Sequence, residues 1–175
     1  IMSNGFMKAG YDVKQSEVHG MAQRGGSVVS HVRIGEDAYS PLIAKGCADT
    51  IIAFEPAEAV RAFPYLKKGG SVTVSSSPVK PVTDSLADKP YSADDMIEFL
   101  EKQDIRLTVV DGGEIIREAG SAKSLNAALI AAACASGAVP FSVEEIENVV
   151  RNELKAEYAE SNLRAIAAGA RAVLG

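Results

Sequence analysis

Thr50-Ile51-Ile52-Ala53-Phe54-Glu55-Pro56, then Ser71-Val72-Thr73-Val74, then Ile105-Arg106-Leu107-Thr108-Val109-Val110 are the runs that decide the fold class of this 175-residue chain. The first is apolar at successive positions, as a strand buried on both faces of a parallel sheet is. Glu55-Pro56 opens a helix, where a first-turn proline has no hydrogen bond to lose, and Lys67-Lys68-Gly69-Gly70 closes it. Ser71 to Val74 forms the next strand, and the Pro-, Ser- and Asp-rich segment from Ser75 to Pro90 is an irregular connection. Ser92 with Asp95 three residues on resembles a capping box ahead of Met96, Ile97 and Leu100, and the third strand follows at Ile105 to Val110. Strands alternating with helices in this way pair in parallel through right-handed crossovers.

Working outward, Phe6-Met7-Lys8-Ala9-Gly10 reads as the end of a glycine-capped helix that begins upstream of the visible sequence. Tyr11 to Val18 alternates as a strand and ends in the polar, glycine-bearing loop His19 to Gly26. Ser27 to Ile34 alternates again, and the Gly35-Glu36-Asp37 turn leads into Ala38 to Ile43, so these two segments are expected to pair as an antiparallel hairpin. Downstream, an alanine-rich helix runs from Ser121 to a stop at Gly137. Phe141, Ser142 and Glu145 supply a hydrophobic staple and a capping box for a last helix reaching Val173, with an interruption near Gly169. Asn162, one turn from Tyr158 and Ile166, is an amide on a contacting face. The expected architecture is a three-layer, Rossmann-like α/β domain with a mixed, largely parallel sheet, an antiparallel hairpin and a long C-terminal helix.

Composition narrows the function. The length fits one domain of roughly 150 residues, spanning 1–175. Lys and Arg number 18 against 23 Asp and Glu, a formal net charge of −5, which argues against a general nucleic-acid or anionic-membrane surface. The alanine-rich stretch is about half the length a bilayer span needs, and no signal peptide is visible. Cys47 and Cys134 have no Cys-x-x-Cys or Cys/His spacing, so the chain by itself does not supply the ligands of a zinc site or an iron–sulfur cluster. Small apolar neighbours mark both as buried free thiols in a reducing, cytoplasmic setting.

Ligands of open α/β sheets gather at the carboxyl ends of the strands, here Ser16-Glu17, Phe54-Glu55, Ser75-Ser76-Ser77 and Asp111-Gly112-Gly113. The densest cluster of chemistry-bearing residues is Ser16-Glu17-Val18-His19-Gly20-Met21-Ala22-Gln23-Arg24-Gly25-Gly26-Ser27. Glu17, His19, Gly20, Gln23, Arg24, Gly25 and Gly26 are the candidate cofactor-binding residues: glycine amides cradle anions and the Arg24 fork suits phosphate or carboxylate. A plain Glu17–Arg24 ion pair is the competing account. His19, with an ordinary pKa near neutrality, is the one candidate proton shuttle. His31, on a strand, reads as structural, and Glu55, before Pro56, as a helix cap. Ser75-Ser76-Ser77-Pro78 lacks the elbow of a serine hydrolase.

That first loop, together with Val28-Val29-Ser30-His31-Val32-Arg33, Tyr39-Ser40-Pro41-Leu42-Ile43, the Glu55-Pro56 junction, Asn126, Val139-Pro140-Phe141-Ser142, Glu144 to Glu147 and Asn162 to Gly169, resembles the gamma-subunit or gamma-domain family of the 2-oxoacid:ferredoxin oxidoreductases. Members of that family usually begin with a strand and a Gly-x-Gly-Gly-Gln-Gly loop, which the visible sequence lacks. The resemblance implies a non-cluster subunit in the thiamine-diphosphate-dependent oxidative decarboxylation of an aryl-2-oxoacid such as indolepyruvate, with CoA as co-substrate and ferredoxin as electron acceptor. It places thiamine diphosphate, magnesium and 4Fe-4S clusters on a large alpha subunit, and implies neither nucleic acid nor membrane as partner. Consistently, Asp111-Gly112-Gly113 and Asn126 do not match a thiamine-diphosphate metal signature: Val110 precedes the aspartate and the asparagine comes too soon. The alternative reading is a stand-alone Rossmann-like protein that binds a nucleotide or CoA, for which the visible sequence offers no phosphate loop.

Overall fold

The computed structural model describes residues 1–17, 27–36, 38–78 and 91–175. Its elements are α1 (Met2–Lys8), β1 (Val13–Glu17), β2 (Ser30–Ile34), β3 (Ala48–Ala53), α2 (Pro56–Ala62), β4 (Leu66–Ser75), α3 (Ala93–Glu101), β5 (Arg106–Val110), α4 (Gly112–Ala119), α5 (Leu125–Ala135), α6 (Val143–Glu153) and α7 (Ala156–Leu174). Strands β3, β4 and β5 form a parallel sheet in that order, with Ile51 opposite Val72 and Val74 opposite Val109. On one face of the sheet Val72 and Val74 pack with Ile51, Ala59 and Leu100, which brings α2 and α3 against it. Val110, Ala128, Leu129, Ala132, Ala165 and Ala168 close the other side, drawn from β5, α5 and α7. Helix, sheet and helix thus make the three expected layers.

Helix α5 explains the closeness of that packing. Ala127, Ala128, Leu129, Ala131, Ala132 and Ala133 are all fully buried, as a helix apolar all round must be. Because side chains alternate along a strand, Ser71, Thr73 and Ser75 of β4 point away from Val72 and Val74, towards α5, and all three are buried. Among the described residues Ser71 Oγ and Thr73 Oγ1 have no hydrogen-bond partner. On the outer side of α5, Gly169 of α7 lies directly over the Ala128 backbone, and a Cβ there would overlap the Ala128 carbonyl. Asn162 is buried on the same helix, its amide donating to the Tyr158 carbonyl at 2.8 Å.

Three helix ends follow the sequence reading in detail. Gly10 (φ 87°) and Gly137 (φ 70°) adopt the left-handed conformation. The Tyr11 amide donates to the Phe6 carbonyl at 3.0 Å and the Ala138 amide to the Ala133 carbonyl at 2.8 Å, closing Schellman caps on α1 and α5. The α6 capping box is formed: Ser142 Oγ accepts from the Glu145 amide, and Glu145 Oε2 accepts from the Ser142 amide at 2.7 Å. These Ser142 hydrogen bonds, backbone first and then hydroxyl, hold the Glu145 carboxyl below its ordinary pKa. Phe141 packs in one cluster with Ile146, as the staple requires.

Four local expectations are corrected. The antiparallel partner of β2 is β1, with Val13 opposite Ile34 and Glu17 opposite Ser30, and the pair forms a two-stranded ladder of its own. The Ala38 to Ile43 segment is no strand. Pro41 has no amide for a ladder, and the segment is tied to β2 by side chains: Arg33 Nη1 donates to the Ser40 carbonyl at 2.9 Å and the Ile43 amide to His31 Nδ1 at 3.1 Å. Helix α2 ends at Ala62, a single turn of 3-10 helix covers Phe63–Tyr65, and β4 already starts at Leu66. Pro64 can start that turn but cannot extend the α-helix, so Lys67 to Gly70 belong to the strand. The C-terminal helices break at Leu154, which is extended (φ −88°, ψ 145°) and packs into the core, while Gly169 is a contact glycine within an unbroken α7. Cys134 is buried, as expected, but Cys47 is exposed.

Two substitutions probe the α5 contacts. Gly169→Ala should destabilise the protein by about 2 kcal/mol, because overpacking against a backbone outweighs the gain in helix propensity of roughly 1 kcal/mol. Thr73→Val exchanges an unpartnered buried hydroxyl for a methyl and should leave stability unchanged or raise it by about 1 kcal/mol. Denaturant unfolding monitored by circular dichroism measures both.

Candidate functional site

The carboxyl ends of β3, β4 and β5 converge as the sheet reading requires. The Ser76 amide donates to the Val110 carbonyl at 2.9 Å, continuing the β4–β5 contact past the strand. Ser75 Oγ accepts from the Ser77 amide at 3.2 Å, and Ser77 Oγ accepts from the Gly113 amide at 2.8 Å. Asp111 caps α4, its Oδ1 accepting from the Glu114 amide at 2.9 Å. Gly112 is required by this closeness: a Cβ would overlap Ser75 Oγ. The Ser75–Ser77 and Asp111–Gly113 segments therefore form one turn cluster, tied together by the Gly113 amide on Ser77 Oγ.

Glu55 closes the same end of β3. It is only 8% exposed, yet its carboxylate is well supplied with donors. Oε1 accepts from the Glu58 amide at 2.8 Å, while Oε2 accepts from the Ala57 amide at 3.2 Å and from the Tyr91 hydroxyl at 2.7 Å. The α2 N-terminus thus receives a carboxylate cap, favoured by the positive end of the helix. The Tyr91 phenol additionally pins the chain to that cap ahead of α3. Tyr91 had no sequence signal, because nothing local says that its phenol reaches back across 36 residues.

Of the candidate loop, Glu17 is described and the rest lies outside the described residues: His19, Gly20, Gln23, Arg24, Gly25 and Gly26, together with Val18, Met21 and Ala22. Its two flanks are placed. Glu17 is exposed at the end of β1, opposite Ser30, and Ser27 donates its hydroxyl to Glu58 of α2. The second tie joins the end of the loop to the helix that Glu55 caps.

Beside that tie is a cleft of about 320 Å³ lined by Val29, Lys45, Glu58, Arg61, Pro64 and Tyr65. Arg61 pairs with Glu58 one turn away, whereas the Lys45 ammonium has no ion pair among the described residues. His31 serves structure as expected: Nδ1 accepts from Ile43, which places the ring proton on Nε2, and the ring stands edge-on to Tyr65 with centroids 5.6 Å apart. A second, open groove of about 1210 Å³ separates the β3 edge from β1, β2 and α1, with Gln15, Arg33, Thr50, Arg106 and Asn126 on its walls. Lys45, Arg61 and Tyr65 were missed by the sequence reading because their proximity arises only when α2 is laid beside the Ala44 to Cys47 turn.

Among the described residues no three His, Cys, Asp or Glu side chains are grouped to hold a metal ion, and no helix is long and apolar enough to cross a membrane. Burial, with a contribution from Glu145, pushes the Cys134 thiol up to about 12, so that thiol stays protonated at neutral pH and is a poor nucleophile and ligand.

Comparison with known proteins sets these features in context. A family model described as pyruvate ferredoxin/flavodoxin oxidoreductase matches residues 1–172. The chain is 38% identical over 168 residues to indolepyruvate oxidoreductase subunit IorB of Thermococcus kodakarensis, covering 95% of this chain and 83% of that protein. It is 39% identical over 171 residues to the protein of the same name from Archaeoglobus fulgidus, covering 97% and 84%. In fold it is similar to the crystal structure of the keto/oxoacid ferredoxin oxidoreductase gamma subunit from Geobacter sulfurreducens, with a TM-score of 0.66, 21% identity, and 99% and 87% of the two chains covered.

Removing the Glu55 cap tests the geometry of this end of the sheet. Glu55→Ala removes the acceptor of the Glu58 amide and of the Tyr91 phenol and one of two acceptors of the Ala57 amide, and should cost about 2 kcal/mol, while Tyr91→Phe should cost about 1 kcal/mol. In a double-mutant cycle by thermal unfolding, the two losses should be less than additive, since both remove the same hydrogen bond.

Proposed function

The chain belongs to the pyruvate ferredoxin/flavodoxin oxidoreductase family, and from that premise we propose that it is the non-cluster subunit of an indolepyruvate, or more broadly arylpyruvate, ferredoxin oxidoreductase. In this reading the assembly converts the 2-oxoacid and CoA to an acyl-CoA and carbon dioxide, and the electron pair released passes to ferredoxin. The single observation that carries it is the identity of 38% to a protein named for indolepyruvate, extending over 95% of this chain.

The companion is a large alpha subunit that holds thiamine diphosphate, magnesium and the 4Fe-4S clusters, and the complex works in the cytoplasm. Thiamine diphosphate, when bound there, supplies the electron sink that decarboxylation of a 2-oxoacid needs. The two cysteines of this chain suit that division: Cys134 is a buried thiol held protonated, and Cys47 lies apart on the surface. What this chain contributes is shape and orientation. The Glu17 to Gly26 loop, anchored through β1 on one side and through Ser27 to Glu58 on the other, faces the companion. Arg24 and the amides of Gly20, Gly25 and Gly26 contact an anionic part of CoA or of the cofactor region, with Gln23 and His19 as further donors.

Two measurements test the reading. Purification from the native source should bring down a thiamine- and cluster-containing companion, and the complex should turn over arylpyruvates faster than pyruvate. Isolated chain that decarboxylates indolepyruvate unaided would overturn the division of labour. Arg24→Ala in the assembled complex should raise the KM for CoA about 10-fold or more, the scale of one charge-assisted hydrogen bond. Unchanged kinetics with intact assembly would remove Arg24 from the site.

A further inference from the structure

The cleft beside the Ser27–Glu58 tie collects hydrogen-bond donors from three separate parts of the chain. Lys45 is exposed, and among the described residues its ammonium has neither an ion pair nor a hydrogen bond. Its mount is fixed: the Gly46 amide donates to the Pro64 carbonyl at 3.0 Å, and the Cys47 amide to the Ala44 carbonyl at 3.2 Å, with Gly46 in the left-handed conformation (φ 73°). The Arg61 guanidinium gives Nη1 to Glu58 and keeps its other N–H groups. Tyr65 is half-buried with its ring edge-on to His31, and its phenol has no hydrogen-bond partner among the described residues. The carboxylate in the lining, Glu58, is already engaged at both oxygens, by Arg61 and by the Ser27 hydroxyl. The cleft therefore holds one cation in excess, in a chain whose formal net charge is −5.

The donor set selects among anions. A carboxylate is planar and is satisfied by the two parallel donors of one guanidinium, which would leave Lys45 and Tyr65 unused. A phosphate monoester is tetrahedral, carries about −1.5 to −2 charge at neutral pH and presents three acceptor oxygens, one for each of the ammonium, the guanidinium and the phenol. A phosphodiester or diphosphate link offers fewer free oxygens and less charge at each phosphorus. At about 320 Å³, with Val29 and Pro64 as apolar walls, the cleft is at the small end of ligand pockets and suits one phosphorylated sugar better than a whole cofactor. We propose that it binds the phosphate monoester of CoA, the 3′-phosphate of its ribose, with Lys45 as the charge partner and Arg61 and Tyr65 as further donors. This rests on the reading of the chain as part of a CoA-dependent oxidoreductase and adds to it a grip on the nucleotide end of the co-substrate.

Dephospho-CoA, which lacks that phosphate and is otherwise the same molecule, isolates the contact. In the assembled complex the KM for dephospho-CoA should exceed that for CoA by about 10-fold or more, the scale of one charge-assisted contact. Lys45→Ala should raise the KM for CoA by about 10-fold and leave that for dephospho-CoA nearly as it was, so that the discrimination collapses; Lys45→Arg should restore part of it. Lys68→Ala removes an exposed lysine outside the cleft and should keep the parent's ratio. Because the Lys45 ammonium holds no group of the chain among the described residues, Tm should match the parent in Lys45→Ala. A complex that uses CoA without preferring it to dephospho-CoA overturns the assignment and leaves the subunit reading intact, and so does a Lys45→Ala complex with the parent's ratio. A complex that turns over arylpyruvates with no need of CoA overturns both. Inorganic phosphate that binds the full chain in titration calorimetry, and no longer binds Lys45→Ala, while discrimination between the two CoA forms is unaltered, would give the cleft to free phosphate and overturn its assignment to CoA.

Discussion

Helix α5 must lie against the sheet on one side and against α7 on the other, and alanine-sized side chains make that separation attainable. Ala128 and Ala132 meet Ala165 and Ala168 across the helix pair, and Gly169 sits where even a methyl group would meet the Ala128 backbone. Each alanine buries little apolar area, so the stability of the arrangement comes from the many close contacts that short side chains permit, together with fully buried larger groups such as Leu129, Ile146 and Ile166. The same constraint reaches into the sheet, where Ser71 and Thr73 occupy positions at which their size is tolerated and their hydroxyls find no partner among the described residues. Anything bulkier on any of these surfaces would push α5 outward and with it the turn cluster at the strand ends.

At those strand ends the polar groups that would first draw attention are already engaged. Glu55 accepts three hydrogen bonds, Asp111 caps α4, and the Ser75 and Ser77 hydroxyls accept from neighbouring amides. Each such bond is worth only about 1 kcal/mol net, but losing a buried partner costs more. These residues therefore read as the rigid edge of a platform. Beside that edge lie the Ser27 tie to Glu58 and the cleft that Lys45, Arg61 and Tyr65 line.

Local signals in the sequence were legible wherever a single turn of chain determines the structure. The Gly10 and Gly137 caps, the Ser142–Glu145 box and the Glu55 cap depend on residues within a few positions of one another and form as read; the apolar runs of the three parallel strands are likewise continuous in sequence, and all three strands are present. The misreadings of the hairpin and of Gly169 concern competition between distant partners. Ser27 to Ile34 has two possible neighbours of similar pattern, and alternation alone cannot choose between them; Pro41 removes the ladder amide that the nearer one would need. Gly169 looked like a breaker because its partner, Ala128, is far away in sequence. The same limit hid Tyr91 and Lys45, whose roles exist only once α2 is in place. The residue cluster that identified the family, by contrast, was legible as a string of residue types, since recognising it needs no geometry.

The hairpin and the parallel sheet are joined in a different way from the strands within each. Among the described residues β1 and β2 share no ladder with β3. The links that can be traced are apolar packing of Val13 and Ile34 near Phe6 and Phe141, the edge contact of His31 with Tyr65, and the hydroxyl of Ser27 on Glu58. A backbone ladder moves only by breaking several hydrogen bonds together, whereas side-chain links of about 1 kcal/mol each yield singly. Among the described residues the hairpin is thus joined to the α5-centred core through side chains, with no shared backbone ladder.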